Sequence, residues 1–108
     1  MKQTNNEIFR EAIETFGEDN QLFQLCEEMA ELIKAVNKWR RNKELAVRYP
    51  AYVEDVAEEI ADVEIMIEQL QMILEIPHNE IYDIRIKKIE RLKQRVKERK
   101  EHESCDST

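Results

Sequence analysis

Residues 53–74, VEDVAEEIADVEIMIEQLQMIL, carry the pattern that fixes the fold. Apolar side chains recur in this stretch at alternating steps of four and three, namely Val56, Ile60, Val63, Ile67, Leu70 and Leu74. This spacing is typical of one face of an α-helix, and it predicts a helix over roughly residues 53–74. Met66 and Ile73 form a second apolar line, in register with Glu59 and Asp62. That line predicts a subunit interface, or else two incidental surface hydrophobes.

Two further helices are predicted on the N-terminal side. Thr4 and Glu7 have the spacing of a capping box and Gly17 is a C-terminal stop, so the first helix is expected over about residues 5–16. Asp19 or Asn20 is expected to cap a second helix that ends near residue 41. Its apolar positions again step by three and four, at Leu22, Leu25, Met29, Leu32, Val36 and Trp39.

The two prolines separate the remaining elements. Pro50 lies in a stretch without helical periodicity, so residues 42–52 are predicted to be a connection. Pro77 ends the third helix, and a fourth is expected from about Asn79. With one glycine among 108 residues, the chain is predicted to be all-α, with four helices in one domain over residues 1–100 and a polar tail without fixed structure over 101–108.

Composition narrows the class of protein. Cys26 and Cys105 are too few for a disulfide framework, which favours a reducing cytoplasm. No apolar run has the length of a membrane span or the form of a signal peptide, so no membrane association is expected. The formal net charge of −7 argues against stable nucleic-acid binding. The charge is uneven, with seven acidic residues over positions 54–68 and nine basic ones over 85–100, as expected where a cation and a polyphosphate are held together.

Two acidic motifs carry the candidate chemistry. Glu28 and Glu31 are three residues apart on the second helix, and Glu59 and Asp62 are three apart on the third. Both pairs lie at similar offsets from the apolar stripe of their helix, so antiparallel packing would let them converge. Carboxylate-only ligation suits Mg²⁺, with Mn²⁺ as the second choice. A pair of solvated acidic faces explains the motifs equally well on physical grounds alone.

The order of these motifs, ExxE, 27 intervening residues and then ExxD, resembles the signature of the MazG-like all-α nucleoside triphosphate pyrophosphatases. The stretches FGEDNQLFQLCEEMAELIKAVNKWRR (16–41), EDVAEEIADVEIMIEQL (54–70) and KKIERL (87–92) are similar to sequences of that family. This family includes MazG, the dimeric dUTPases and the dCTP pyrophosphatases. The resemblance covers about residues 8–95.

The resemblance implies an activity and a site. It implies that the four acidic residues of the two motifs bind Mg²⁺ over a triphosphate, and that water cleaves a (d)NTP to a (d)NMP and pyrophosphate. Glu27, Glu58 or one of the ligands would activate the water. It also implies a homodimer or homotetramer with helical bundles completed between subunits, and a house-cleaning role in the nucleotide pool. The motif leaves the preferred nucleotide open.

Other residues are candidates for substrate contacts. Lys88 and Arg91 match basic positions of the family's last helix and are predicted to hold phosphate oxygens, a solvated basic face being the alternative. A further set could contact the base or sugar, with ordinary core or helix-end roles as the alternative: Gln21, Phe23, Trp39 and Gln69.

Parts of the sequence are also compatible with two other functions. A non-catalytic helical interaction or regulatory module could keep the same fold without the reaction. A di-iron carboxylate protein is suggested by the ExxH spacing of Glu75 and His78, but Pro77 between them would break the helix that must aim both inward. We therefore expect the pyrophosphohydrolase.

Overall fold

The computed structural model describes residues 2–46 and 50–106, and within these ranges it contains helices and no strand. The elements are α1 (Asn5–Phe16), α2 (Glu18–Arg41), the single turn α3 (Lys43–Ala46), α4 (Ala51–Ile73) and α5 (His78–Asp106). The all-α prediction is confirmed. The chain divides into two compact units, Met1–Glu75 and Ile76–Thr108.

The first helix has the predicted ends. Thr4 Oγ1 accepts a hydrogen bond from the Glu7 N–H at 3.1 Å, and the Glu7 carboxylate accepts one from the Thr4 N–H at 3.4 Å, which completes the capping box. Gly17 ends α1 by donating its N–H to the Ile13 carbonyl at 2.8 Å. Its φ of 91° is a conformation that a side chain would strain, so glycine is required by the backbone here.

The second helix begins earlier than predicted. The Gly17 carbonyl accepts the Gln21 N–H at 3.1 Å, so α2 follows α1 directly and starts at Glu18. Asp19 and Asn20 therefore lie inside the first turn, and the prediction that one of them caps α2 is wrong. The Asn20 amide instead donates to the Phe16 carbonyl at 2.7 Å and satisfies an end group of α1.

α2 and α4 form the main packing interface of the first unit, and α1 contacts both. Gln21 near the start of α2 bonds Gln69 near the end of α4, whereas Glu28 further along α2 meets Glu59 earlier in α4. The two helices are therefore antiparallel. We call the line where they meet the seam; its buried members are Gln21, Leu25, Val63, Met66 and Gln69.

The face of α4 that packs on α2 differs from the predicted one. Met66 is only 6% exposed, so its predicted place at a subunit interface is wrong, and Ile73 in the same line is half-buried. Ile60 and Ile67, predicted to be core, are each 43% exposed. Two apolar lines run along this helix, and periodicity alone does not indicate which of them meets α2.

The connections agree with the proline signals. α4 begins at Ala51, directly after Pro50 and two residues before the predicted start. The predicted connection holds the short α3, and its residues 47–49 lie outside the described ranges. After α4, Glu75 has a φ of 53°, the left-handed conformation with which helices often end.

The second unit is one long helix. Its large apolar side chains are exposed, Tyr82 at 62% and Leu92 at 55% among them. α5 runs to Asp106, so the predicted boundary between domain and tail falls inside it, and residues 107 and 108 lie outside the described ranges. None of the helices in the described part of the chain combines the length and apolar character that a membrane crossing requires.

Candidate metal centre

The carboxylates of the two acidic motifs lie on the seam. Glu28 and Glu59 are half-buried and belong to the packed lines of α2 and α4, whereas Asp62 is exposed at the edge. One carboxylate oxygen from each of Glu28, Glu59 and Asp62 lies within 4.8 Å of the others. Helix packing thus brings together three of the four predicted ligands.

Glu31, the fourth predicted ligand, lies outside that group of three. Its carboxylate is 3.6 Å from the Lys34 ammonium, and both side chains are largely exposed, at 52% and 74%. An exposed pair of this kind has little stabilising effect, because solvent screens the charges. Glu31 still contributes to the field at the seam, since its charge is among those that raise the pKa of Glu59.

Glu59 is the most perturbed member of the cluster. Burial and then the charge of Asp62 raise its pKa above the ordinary 4.5, with smaller contributions from Glu28, Glu31 and Glu58. Its Oε2 atom is shielded from solvent and accepts no hydrogen bond. A shielded carboxylate oxygen surrounded by like charges is costly for a fold to maintain unless a cation or a proton joins it.

The donor set fits a small hard cation. Only carboxylate oxygens converge, which favours Mg²⁺ or Mn²⁺ over softer metals that prefer histidine or cysteine. Acidic groups on protein surfaces are common without an ion. What distinguishes this cluster is the Glu59 oxygen, which lies inside the seam and has no partner.

One supporting residue was missed in the sequence. The Gln24 amide donates to the Glu28 carboxylate at 2.7 Å and holds it from the preceding turn of α2. The signal was available, because a residue four positions before a candidate ligand on a helix lies beside it. Glu27 and Glu58, the predicted bases, are exposed, and they lie outside the converging group.

The predicted base-contacting residues fall into two groups. Gln21 and Gln69 are buried and bond each other at 2.6 Å, and Gln69 also lies 3.7 Å from the Met66 sulfur, so both amides serve the seam. Phe23 is 70% exposed and borders an open recess with Phe16. Trp39 is half-buried, with the Lys43 ammonium 5.9 Å from its ring centre.

The remaining candidates lie elsewhere. Lys88 and Arg91 are exposed on α5, three residues apart and so neighbours on its surface. Glu75 follows the end of α4 and His78 begins α5, so the ExxH spacing does not lie on a continuous helix. The helical geometry on which the di-iron interpretation depends is therefore not present.

Sequence reasoning also missed a row of cations on α2. Lys34, Lys38 and Arg41 line a cavity of about 380 Å³ together with Glu31 and Glu59. Their i, i+4, i+7 spacing could have shown that they continue the side of the helix that carries Glu31.

Comparisons of the chain with protein-family models, with curated proteins and with solved structures give no match.

Proposed function

We propose that this chain is a Mg²⁺-dependent nucleoside triphosphate pyrophosphohydrolase of the MazG-like kind, which converts a (d)NTP and water to a (d)NMP and pyrophosphate. The observation that carries the proposal is the convergence of Glu28, Glu59 and Asp62 around a shielded, unpartnered oxygen at the seam. The motif resemblance supplies the reaction class. Such an enzyme would act on the nucleotide pool of the cytoplasm.

Each residue then has a role. Glu28, Glu59 and Asp62 would hold the ion, and Glu31 would join them by exchanging its exposed pair with Lys34 for the metal. Gln24 keeps the Glu28 carboxylate in place. When bound, Mg²⁺ neutralises phosphate oxygens and lowers the pKa of the attacking water. Glu27, Glu58 or a ligand carboxylate accepts the proton of that water, and the bond between the α-phosphorus and the bridging oxygen breaks.

The decisive experiment is a screen of pyrophosphate release. Canonical and modified (d)NTPs would be incubated with the wild-type chain and Mg²⁺, and the released pyrophosphate and monophosphate would be measured. For the true substrate, the two products should appear in equal amounts. The Asp62→Asn variant is the matched control, since it removes a ligand charge and keeps the size of the side chain. Absence of pyrophosphate from every nucleotide would overturn the proposal.

We also propose that the enzyme is a homo-oligomer whose bundle is completed by a second copy. Val53, Ile60 and Ile67 of α4, with Leu74 directly after it, are spaced by seven residues and are 43% to 57% exposed. On α2, Met29 and Val36 continue the same spacing and are also exposed. At about 100° per residue, both lines lie on the side of their helix away from Asp62 and Glu31.

A second copy is the occupant that this face fits best. The described residues of the first unit bury only three apolar side chains, which is little for a stable fold. Two antiparallel helices of 24 and 23 residues, each with a seven-residue apolar repeat, form a surface that can pack on itself about a two-fold axis.

Light scattering tests this assembly. The wild-type chain should have a mass of two or four times 13.0 kDa at micromolar concentration. Ile60→Glu and Ile67→Glu should lower that mass, because a charge would enter an apolar contact. Ile8→Glu is the control, since Ile8 is similarly exposed at 45% but lies on α1. A monomeric wild type, or equal effects of all three changes, would contradict the proposal.

The exposed apolar surface also favours one rival, a non-catalytic module that binds another helical protein. It predicts tight binding of a partner with no hydrolysis of any nucleotide, and unchanged partner binding in Asp62→Asn. The pyrophosphate screen separates the two.

A further inference from the structure

The three cations of α2 lie on the same side of the first unit as the carboxylates. Lys34, Lys38 and Arg41 line the cavity of about 380 Å³ opposite Asp55 and Glu59 of α4. Both signs of charge thus border one space within a single unit. A volume of this size is at the lower end of the range for small-molecule sites.

The row is long enough to contact several charged groups. Seven residues separate Lys34 from Arg41, which corresponds to about 10 Å along the helix axis. The Lys34 ammonium forms an exposed ion pair with Glu31, and the Lys38 ammonium lies 5.6 Å from the centre of the Tyr52 ring. Neither contact is a buried ion pair, so both ammonium groups can exchange these partners for an anion.

The surface of α2 changes character in a fixed order. Near its start, Phe23 and Gln24 border the open recess. The carboxylates of Glu28 and Glu31 follow about one turn later, and the cations occupy the last two turns. The C-terminal end of a helix repels anions, so a site for anions there depends on such cations. A nucleoside triphosphate has the same order of parts, with an aromatic base, a metal-binding polyphosphate and a terminal negative charge.

We propose that Lys34, Lys38 and Arg41 bind phosphate groups of the nucleotide beside the carboxylates of the seam. This inference rests on the proposed function and assigns its phosphate contacts to the first unit. Arg41 can bind phosphate oxygens bidentately, and the two lysines act as point charges. The competing explanation is that the cations only neutralise the neighbouring carboxylates.

Inorganic tripolyphosphate separates these explanations, because it carries the charge of the substrate without the base. Calorimetry of the full chain with tripolyphosphate and Mg²⁺ should show binding that weakens about tenfold in each of Lys34→Ala, Lys38→Ala and Arg41→Ala. Arg40→Ala is the matched control. It removes the same charge from the same helix at a position that does not line the cavity, and it should change affinity by less than about twofold.

Two further measurements control for loss of folding and for the type of side chain. Circular dichroism should show the same helicity in all four variants, and Lys38→Arg should retain most of the affinity lost in Lys38→Ala. Equal weakening in Arg40→Ala would overturn the inference, because the row would act only as a diffuse positive field. Failure of the wild-type chain to bind tripolyphosphate would also overturn it.

The phosphate-binding inference and the proposed function can fail independently. If the wild type binds tripolyphosphate with the expected pattern but releases no pyrophosphate from any nucleotide, the phosphate row stands and the proposed function fails. If it hydrolyses a nucleotide and the three variants keep the wild-type KM and kcat, the function stands and the row is wrong.

Discussion

Two polar pairs lie in the same seam, and they differ in how their bonding needs are met. Gln21 and Gln69 are buried, neutral and bonded to each other at 2.6 Å. Glu28 and Glu59 meet two turns further along α2 as like charges, and one oxygen of Glu59 has no partner. The amide pair satisfies its hydrogen bonding within the chain, whereas a shielded oxygen of Glu59 accepts no hydrogen bond. Buried polar groups that bond each other stabilise the fold, while an unpaired carboxylate oxygen leaves a position at which a cation or a proton can bind.

We expect the largest effect from removing one charge of the Glu28–Glu59 carboxylate pair. Glu59→Gln keeps the size of the side chain and removes the charge, so Mg²⁺ binding should be lost and turnover should fall by more than about a hundredfold. The helical content should remain, and the apo protein should be no less stable because like-charge repulsion is relieved. Calorimetry with Mg²⁺ and thermal unfolding measure both. If this variant bound Mg²⁺ with wild-type affinity, the assignment of the Glu28–Glu59 pair as metal ligands would be wrong.

Changes to the Gln21–Gln69 amide pair should lower stability and leave Mg²⁺ binding intact. Gln69→Leu leaves the buried Gln21 amide without its partner and should lower the free energy of unfolding by about 1–3 kcal/mol. Replacing both glutamines with methionine should recover much of this loss, because no unpaired polar group remains. Denaturant unfolding of the single and double variants gives the coupling. If Gln69→Leu instead abolished Mg²⁺ binding in the folded protein, the two pairs would not be separate in function.

The third prediction concerns the basic residues of α5, for which the alternative is a solvated basic face. If Lys88 and Arg91 contact the polyphosphate, Lys88→Ala and Arg91→Ala should each lower kcat/KM by about tenfold. Lys97→Ala is the control, because it removes the same charge from the same helix about two turns away. Steady-state kinetics at two salt concentrations measures the effect. Equal losses in all three variants would leave only a diffuse field from this helix.

The smallest effect is the pH dependence that Glu59 gives to stability. Its pKa is raised above 4.5 in the folded protein, so the folded chain binds this proton more tightly than the unfolded chain. Its contribution is therefore fully present below about pH 4.5 and is lost as the pH rises through the raised pKa. Without Mg²⁺, the Tm of the wild type should fall relative to that of Glu59→Gln as the pH rises through that interval. Added Mg²⁺ should raise the Tm of the wild type again. A difference independent of pH would contradict the shift.

The sequence predicted the elements well where local chemistry determines them. The capping box at Thr4 and the glycine at position 17 predicted α1 over residues 5–16, where it is found, and these signals need no information from the rest of the chain. Pro50 and Pro77 similarly placed the breaks around α4. The convergence of Glu28, Glu59 and Asp62 also followed from spacing, given antiparallel packing.

The packing of the seam could not be predicted in the same way. Met66 lies inside and Ile67 is 43% exposed, although both are apolar, because the partner face of α2 decides which line is covered. Gln21 and Gln69 were not predicted to be buried, because glutamine is usually exposed and their hydrogen bond forms only when α2 packs on α4. The sequence also did not predict that Lys34, Lys38 and Arg41 border the same cavity as Glu59, because that relation exists only across two helices.

Trp39 gives the protein a built-in optical reporter. It is the only tryptophan in the chain, it is half-buried on α2, and it is next to Lys38 in the sequence. Indole emission depends on the polarity and charge around the ring, and the Lys43 ammonium already lies 5.9 Å from the ring centre. Any anion that rearranges the cations at this end of α2 therefore changes the field around a single chromophore, so titrations can be followed in the unlabelled protein.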